Sequence, residues 1–221
     1  MPIPLLFSTD PPDAFPDIED ALLEPNGLLA AGGDLGIERL LYAYRHGIFP
    51  WFSEGEPILW WSPDPRCILR PDTLHISKSL RKTLKSSPVE IRTDTAFRDV
   101  ILACASPRPG STGTWITAGM LDAYCELHAA GYARSIECWL EGELVGGLYG
   151  VSIGPVFFGE SMFSRVPSAS RMALVHLARC GSYALIDCQL PSEHLLTMGA
   201  VTLNRRDFRE ILDTLLYPES H

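Results

Sequence analysis

The stretch Val156-Phe157-Phe158-Gly159-Glu160-Ser161-Met162-Phe163-Ser164 drives an apolar, β-prone run into a glycine, a carboxylate and two hydroxyls. A buried strand ends this way when its tip serves chemistry; a plain core strand ends in a turn. Downstream, Ile186-Asp187-Cys188-Gln189 sets a second carboxylate and an amide two residues apart on another apolar run. With period two, those side chains are expected on one face of a strand. Several chemistries lack their residues. There is no Gly-x4-Gly-Lys loop, no Gly-x-Gly-x-x-Gly, no His-Glu-x-x-His and no Gly-x-Ser-x-Gly elbow, so ATP, NAD and metal chemistry are not expected. The six cysteines are scattered without a Cys-x-x-Cys pair and read as ordinary buried thiols.

Strands and helices must position these groups. A first helix is expected where Ile37, Leu40, Leu41 and Tyr44 fall on one stripe, with Asp34 as its cap and Gly47 as its stop. Three tryptophans, Trp51, Trp60 and Trp61, follow within eleven residues. They form either a satellite core under proline-rich loops or an aromatic wall for a ligand. A strand near 67–70 precedes a helix over 77–86, which places Lys78, Arg81, Lys82 and Lys85 on one face. Then come a strand at 89–93, a helix at 96–105, and a proline- and glycine-rich loop that delivers Trp115. A helix over 120–130 leads to a hairpin, 134–140 and 143–151, turned at Glu141-Gly142. The strand 155–160, a helix over 168–180, a buried strand over 184–190 and a helix capped by Asn204 complete the order. That order suits a mixed-sheet acyltransferase domain.

At 221 residues, 46% hydrophobic, the chain can bury one good core or a core plus a satellite. No apolar run approaches the ~20 residues of a bilayer span, and residues 1–10 lack the features of a signal peptide; the expected compartment is the cytoplasm. The net charge of -9 argues against a generic nucleic-acid binder. That charge is uneven. Residues 1–60 carry ten acids and two bases, whereas residues 66–85 carry six bases, Arg66 and Arg70 among them, and one acid. Such a segment can hold an anionic partner at one place. A coenzyme A pyrophosphate would want glycines at the start of the helix after the third strand. Arg165-Val166-Pro167-Ser168-Ala169-Ser170 offers serines instead.

Six blocks in order carry a resemblance. They are Gly27-Leu28-Leu29-Ala30-Ala31-Gly32-Gly33-Asp34-Leu35, Gly47-Ile48-Phe49-Pro50-Trp51-Phe52 and Trp60-Trp61-Ser62-Pro63-Asp64-Pro65-Arg66, then Gly113-Thr114-Trp115-Ile116, Phe158-Gly159-Glu160-Ser161-Met162-Phe163-Ser164 and Ile186-Asp187-Cys188-Gln189. Together they resemble the leucyl/phenylalanyl-tRNA protein transferases over residues 3–209. The resemblance implies an α+β chain: a small N-terminal domain, placed at 1–62, and a GNAT-like mixed-sheet catalytic domain, placed at 63–221, working without coenzyme A or any other cofactor. It implies transfer of leucine or phenylalanine, less readily methionine, from leucyl-tRNA or phenylalanyl-tRNA to proteins beginning with arginine or lysine, by a cytoplasmic monomer.

By the same resemblance Asp187 and Gln189 assist the attacking amine, directly or through the amide, and Glu160 holds the donor's ammonium or the acceptor's basic side chain. Leu148, Phe157 and Met162, with Gly159 and Ser161 beside them, map to the apolar pocket. Trp51 and Trp115 map near the aminoacyl-adenosine, where a stacked base is worth roughly 1–3 kcal/mol. Lys78, Arg81, Lys82 and Lys85 become the seat of the acceptor stem. Two departures touch the pocket: Leu148 stands where relatives can carry methionine, and Phe158 where a smaller residue can precede the glycine. Three other readings remain: a coenzyme A-dependent acyltransferase of the same fold, a cell-wall aminoacyl-tRNA ligase, and a tRNA or N-degron binding module without catalysis.

Overall fold

The computed structural model describes residues 3–106 and 115–218; the expected loop before Trp115 lies outside them from residue 107. In chain order the strands and helices are β1 (Leu5–Leu6), β2 (Leu28–Gly32), α1 (Ile37–Arg45), β3 (Phe49–Pro50), β4 (Leu59–Trp61), β5 (Arg66–Leu69), α2 (Lys78–Ser86), β6 (Glu90–Thr93) and α3 (Phe97–Ala105). They continue with α4 (Ala118–Ala129), β7 (Ala133–Leu140), β8 (Glu143–Ile153), β9 (Val156–Ser164), α5 (Ala169–Arg179), β10 (Leu185–Gln189), α6 (Glu193–Thr197), β11 (Val201–Leu203) and α7 (Arg205–Leu216). The fold is α+β, as expected. A four-stranded sheet runs β1-β2-β4-β3 and a seven-stranded sheet runs β11-β5-β10-β9-β8-β7-β6.

Local chemistry sets several of these boundaries. Ser77, Thr117 and Asn204 cap α2, α4 and α7 by accepting hydrogen bonds from backbone amides in the first turn. Asp34 does not cap α1. Gly36 holds that position, while Asp34 accepts from Gly36 N and pairs with the buried Arg39. The β7–β8 hairpin turns at Glu141 and Gly142, both with positive φ (52° and 83°), the conformation that two-residue hairpins favour.

The tryptophan segment divides. Trp60 is fully buried and donates to Gly32 O, whereas Trp51 is 42% exposed. The first four strands, two to five residues each, are too short to show a period, and β11 escapes the sequence reading for the same reason. One core cluster joins α1, the N-terminal strands, α3, α4 and α7 to one face of the large sheet; a second lies under α2 and α5 on the other face.

Candidate active site

The expected end of β9 at residue 160 is not an end. The strand continues to Ser164, and its pairing with β8 skips one residue: Gly150 faces Gly159 and Tyr149 faces Ser161, so Glu160 has no partner in the ladder. This is a β-bulge, a device that re-aims a side chain. Gly150 makes it possible, because a Cβ there would lie 2.1 Å from Phe158 O and 2.7 Å from the Phe157 ring. A second bulge lies in β10 against β5, where Cys67 follows Ile68 in register but Gln189 follows Asp187. β9 and β10 are the parallel pair of the large sheet, and they pair only over Val156–Phe158 and Leu185–Asp187. Beyond that point the strands part.

A cavity of about 480 Å3 opens there. Leu148, Phe157, Met162, Leu174, Leu177 and Ile186 give it apolar walls, and Gly159, Glu160, Ser161 and Trp115 line it as well. Glu160 is the centre of a polar cluster. Its Oε1 accepts from Tyr44 Oη at 2.8 Å and from Gln189 Nε2 at 2.9 Å, and its Oε2 accepts from Tyr124 Oη at 2.9 Å. The two tyrosine hydroxyls also contact each other. Burial pushes the Glu160 carboxyl up to about 7; the hydrogen bonds from Tyr44, Tyr124 and Gln189 pull down, and the Asp187 charge adds to the rise.

Asp187 is fully buried and faces Arg66 rather than the cavity. Its Oδ1 accepts from Arg66 Nε at 2.8 Å and from Gln189 N at 2.9 Å, and its Oδ2 accepts from Arg66 Nη2 at 2.6 Å. Arg66 donates also to Gly47 O and lies between the rings of Phe49 and Phe208. This removes Arg66 from the six bases of the segment 66–85 that could meet an anionic partner. Gln189 takes φ 62°, a left-handed conformation that the hydrogen bond from its backbone N–H to Asp187 Oδ1 helps to hold.

Trp51 is not brought to the cavity wall; it packs against Trp61, whose Nε1 donates to Trp51 O. Lys78, Arg81, Lys82 and Lys85 lie exposed on α2, away from the cavity lining, and none of them joins an ion pair among the described residues. Of the six cysteines, Cys180 is exposed rather than buried, and Cys188 lines the cavity.

The sequence reading missed Tyr44, Tyr124 and Arg66 as parts of the site. Tyr44 read as one more member of an apolar stripe, yet a buried phenol hydroxyl needs a partner. At the start of α5, Ser164 Oγ accepts from Ser170 N at 2.9 Å, and a Cβ on Gly146 would lie 2.3 Å from the Ala169 Cβ. That helix terminus is packed against β8, which leaves little space for a pyrophosphate.

Comparison with known proteins assigns the chain. The family model described as leucyl/phenylalanyl-tRNA protein transferase matches residues 68–213, and the model of that family's N-terminal domain matches residues 33–64. The chain belongs to the leucyl/phenylalanyl-tRNA protein transferase family. A family member from Nitrosomonas eutropha is 59% identical over 213 residues, 95% of this chain and 90% of that protein. One from Pseudomonas fluorescens is 54% identical over 210 residues, 94% and 93% of the two chains. Among solved structures the likeness is distant. A GCN5-related N-acetyltransferase from Kribbella flavida aligns with TM-score 0.37 and 10% identity over 74% of this chain and 62% of that one. L-PGS from Bacillus licheniformis aligns with TM-score 0.37 and 14% identity over 72% and 52%. No helix among the described residues of this transferase-family chain is long and apolar enough to cross a membrane.

Proposed function

We propose that this chain transfers leucine or phenylalanine, and less readily methionine, from aminoacyl-tRNA to the α-amine of proteins that begin with arginine or lysine, marking them for degradation. The observation that carries this reading is the apolar cavity with the Glu160 cluster in its wall, opening where β9 and β10 part. Its walls suit a branched or aromatic side chain. One methylene in such a pocket discriminates by only about 1–3 kcal/mol, which supports tolerance of methionine. We read the chain as acting as a monomer in the cytoplasm.

The chemistry is aminolysis of an ester that is already activated. The acceptor nitrogen bonds to the carbonyl carbon, the bond to the terminal ribose oxygen breaks, and that oxygen leaves as a hydroxyl. An α-amine has a pKa near ~8, so a base of pKa about 7 can take its proton at neutral pH. One ammonium proton is released to solvent; Glu160 is the base that takes the second from the nitrogen as it bonds to carbon, and it returns that proton to the departing ribose oxygen. Gln189 holds the carboxylate in place. Asp187, with both oxygens engaged, is a positioning residue that acts through Gln189. Trp115 packs beside the donor's adenosine, and the α2 cations seat the acceptor stem through its phosphates.

The test is mass spectrometry of a peptide beginning with arginine, incubated with the protein and leucyl-tRNA without ATP or coenzyme A. A gain of one leucyl residue, absent from an N-acetylated control peptide, supports the transferase reading. Binding of the tRNA without any gain of mass would leave a binding module instead.

A further inference from the structure

Three tyrosines surround the Glu160 end of the cavity, and two of them are spoken for: Tyr44 and Tyr124 give their hydroxyl hydrogens to the carboxylate. Tyr149 differs. It lies on β8 opposite Ser161, one position from the bulge, and packs edge-on against Tyr124 with ring centroids 5.6 Å apart. The residue is 0% exposed, yet its Oη has no hydrogen-bond partner among the described residues. It also lines the cavity. A buried hydroxyl left unpaired destabilises a fold, so such a group in a site calls for a functional explanation.

We propose that Tyr149 Oη is the donor that stabilises the negative charge developing on the ester carbonyl oxygen during transfer. This rests on the aminolysis reading above. When the amine attacks, the carbonyl π electrons move onto oxygen; a preorganised donor aimed there acts mainly on the transition state. When the tetrahedral carbon collapses, those electrons return and the ribose oxygen departs, so Tyr149 gains and loses no proton. Burial and the neighbouring Glu160 hold the phenol well above its ordinary pKa, which keeps the hydroxyl protonated throughout. The second unpaired buried side-chain atom among the described residues, His194 Nε2, belongs to a half-buried cavity residue on α6 and takes no part in the hydrogen bonds around Glu160.

The test is Tyr149→Phe, which removes one atom and no protein hydrogen bond. The expected result is unchanged or higher thermal stability, a kcat for leucyl transfer lower by roughly 100-fold or more, and a KM for leucyl-tRNA that scarcely moves. A phosphonate mimic of the tetrahedral intermediate should lose affinity by a similar factor, while an amide analogue of leucyl-adenosine binds both proteins alike. A kcat equal to that of the parent overturns the proposal, because the hydroxyl is then idle. A loss confined to KM overturns it by showing a ground-state contact. A variant that unfolds overturns it too, by showing that the protein itself uses the hydroxyl. The parent run alongside separates this from the function reading: if the parent makes no leucyl peptide, it is the reaction assignment that fails.

Discussion

Gln189 Nε2 donates to Glu160 Oε1 over 2.9 Å at the level where β9 and β10 have stopped pairing. This contact rejoins, through side chains, two strands that part in their backbones. Gln189 can make it because its own backbone is turned into φ 62° and fastened to Asp187, which in turn is fastened to Arg66. The site is thus a relay of positions: a buried ion pair sets an amide, and the amide sets a carboxylate.

Glu160 should make both stability and rate depend on pH. Its carboxyl is raised from 4.5 to about 7, so between those values the folded protein binds a proton that the unfolded chain releases. Stability therefore falls as pH rises through that window and is level above it. Denaturant unfolding over a pH series should show this slope, and Glu160→Gln should remove it. The ionised form is the one that accepts the amine's proton, so kcat should climb through about pH 7. In Glu160→Gln that limb should vanish, leaving only the acceptor's own titration near ~8.

The Arg66–Asp187 pair should be costly to break from one side. Asp187→Ala leaves a guanidinium buried without its partner, and urea unfolding should register a loss of about 3–5 kcal/mol. The double variant Arg66→Met, Asp187→Leu should recover much of that loss. It should not recover transfer activity, because Gln189 N would still lack its acceptor. Recovery of both would mean that Asp187 does not position Gln189.

Charge reversal on α2 should act on tRNA alone. Lys82→Glu with Lys85→Glu should raise KM for leucyl-tRNA several-fold at low salt and leave KM for the peptide unchanged. For each phosphate no longer neutralised, the log-log dependence on salt should flatten by about one unit. An unaltered slope would take the acceptor stem away from this helix.

Enlarging the cavity should change the donor preference. Met162→Ala and Leu177→Ala each remove apolar volume from the wall, and competition between phenylalanyl-tRNA and leucyl-tRNA should shift toward phenylalanine by about tenfold. A fixed ratio would place the side-chain pocket elsewhere.

What the sequence disclosed was local. The turn at Glu141-Gly142 and the cap at Asn204 depend on neighbours a few residues away, and each is found where it was expected. What it hid depends on distant partners. Arg66 read as one of six bases in a single segment because Asp187, which neutralises it, lies 121 residues on. The bulge at Glu160 is permitted by Gly150 on the facing strand, and no pattern within β9 announces it. Trp51, grouped with its neighbours by composition, turned outward while Trp60 turned in.

The bulge also explains an oddity of counting. Phe157 and Met162 are an odd number of residues apart and should face opposite ways, yet both wall the cavity. The strand would be a complete, regular member of the sheet if Glu160 were not there. Glu160 is a spare stitch in the fabric: no rung of the ladder hangs on it, and only side chains hold it. Fold and reactivity are therefore separable at this residue, and the chain can vary its carboxylate without unpicking the sheet.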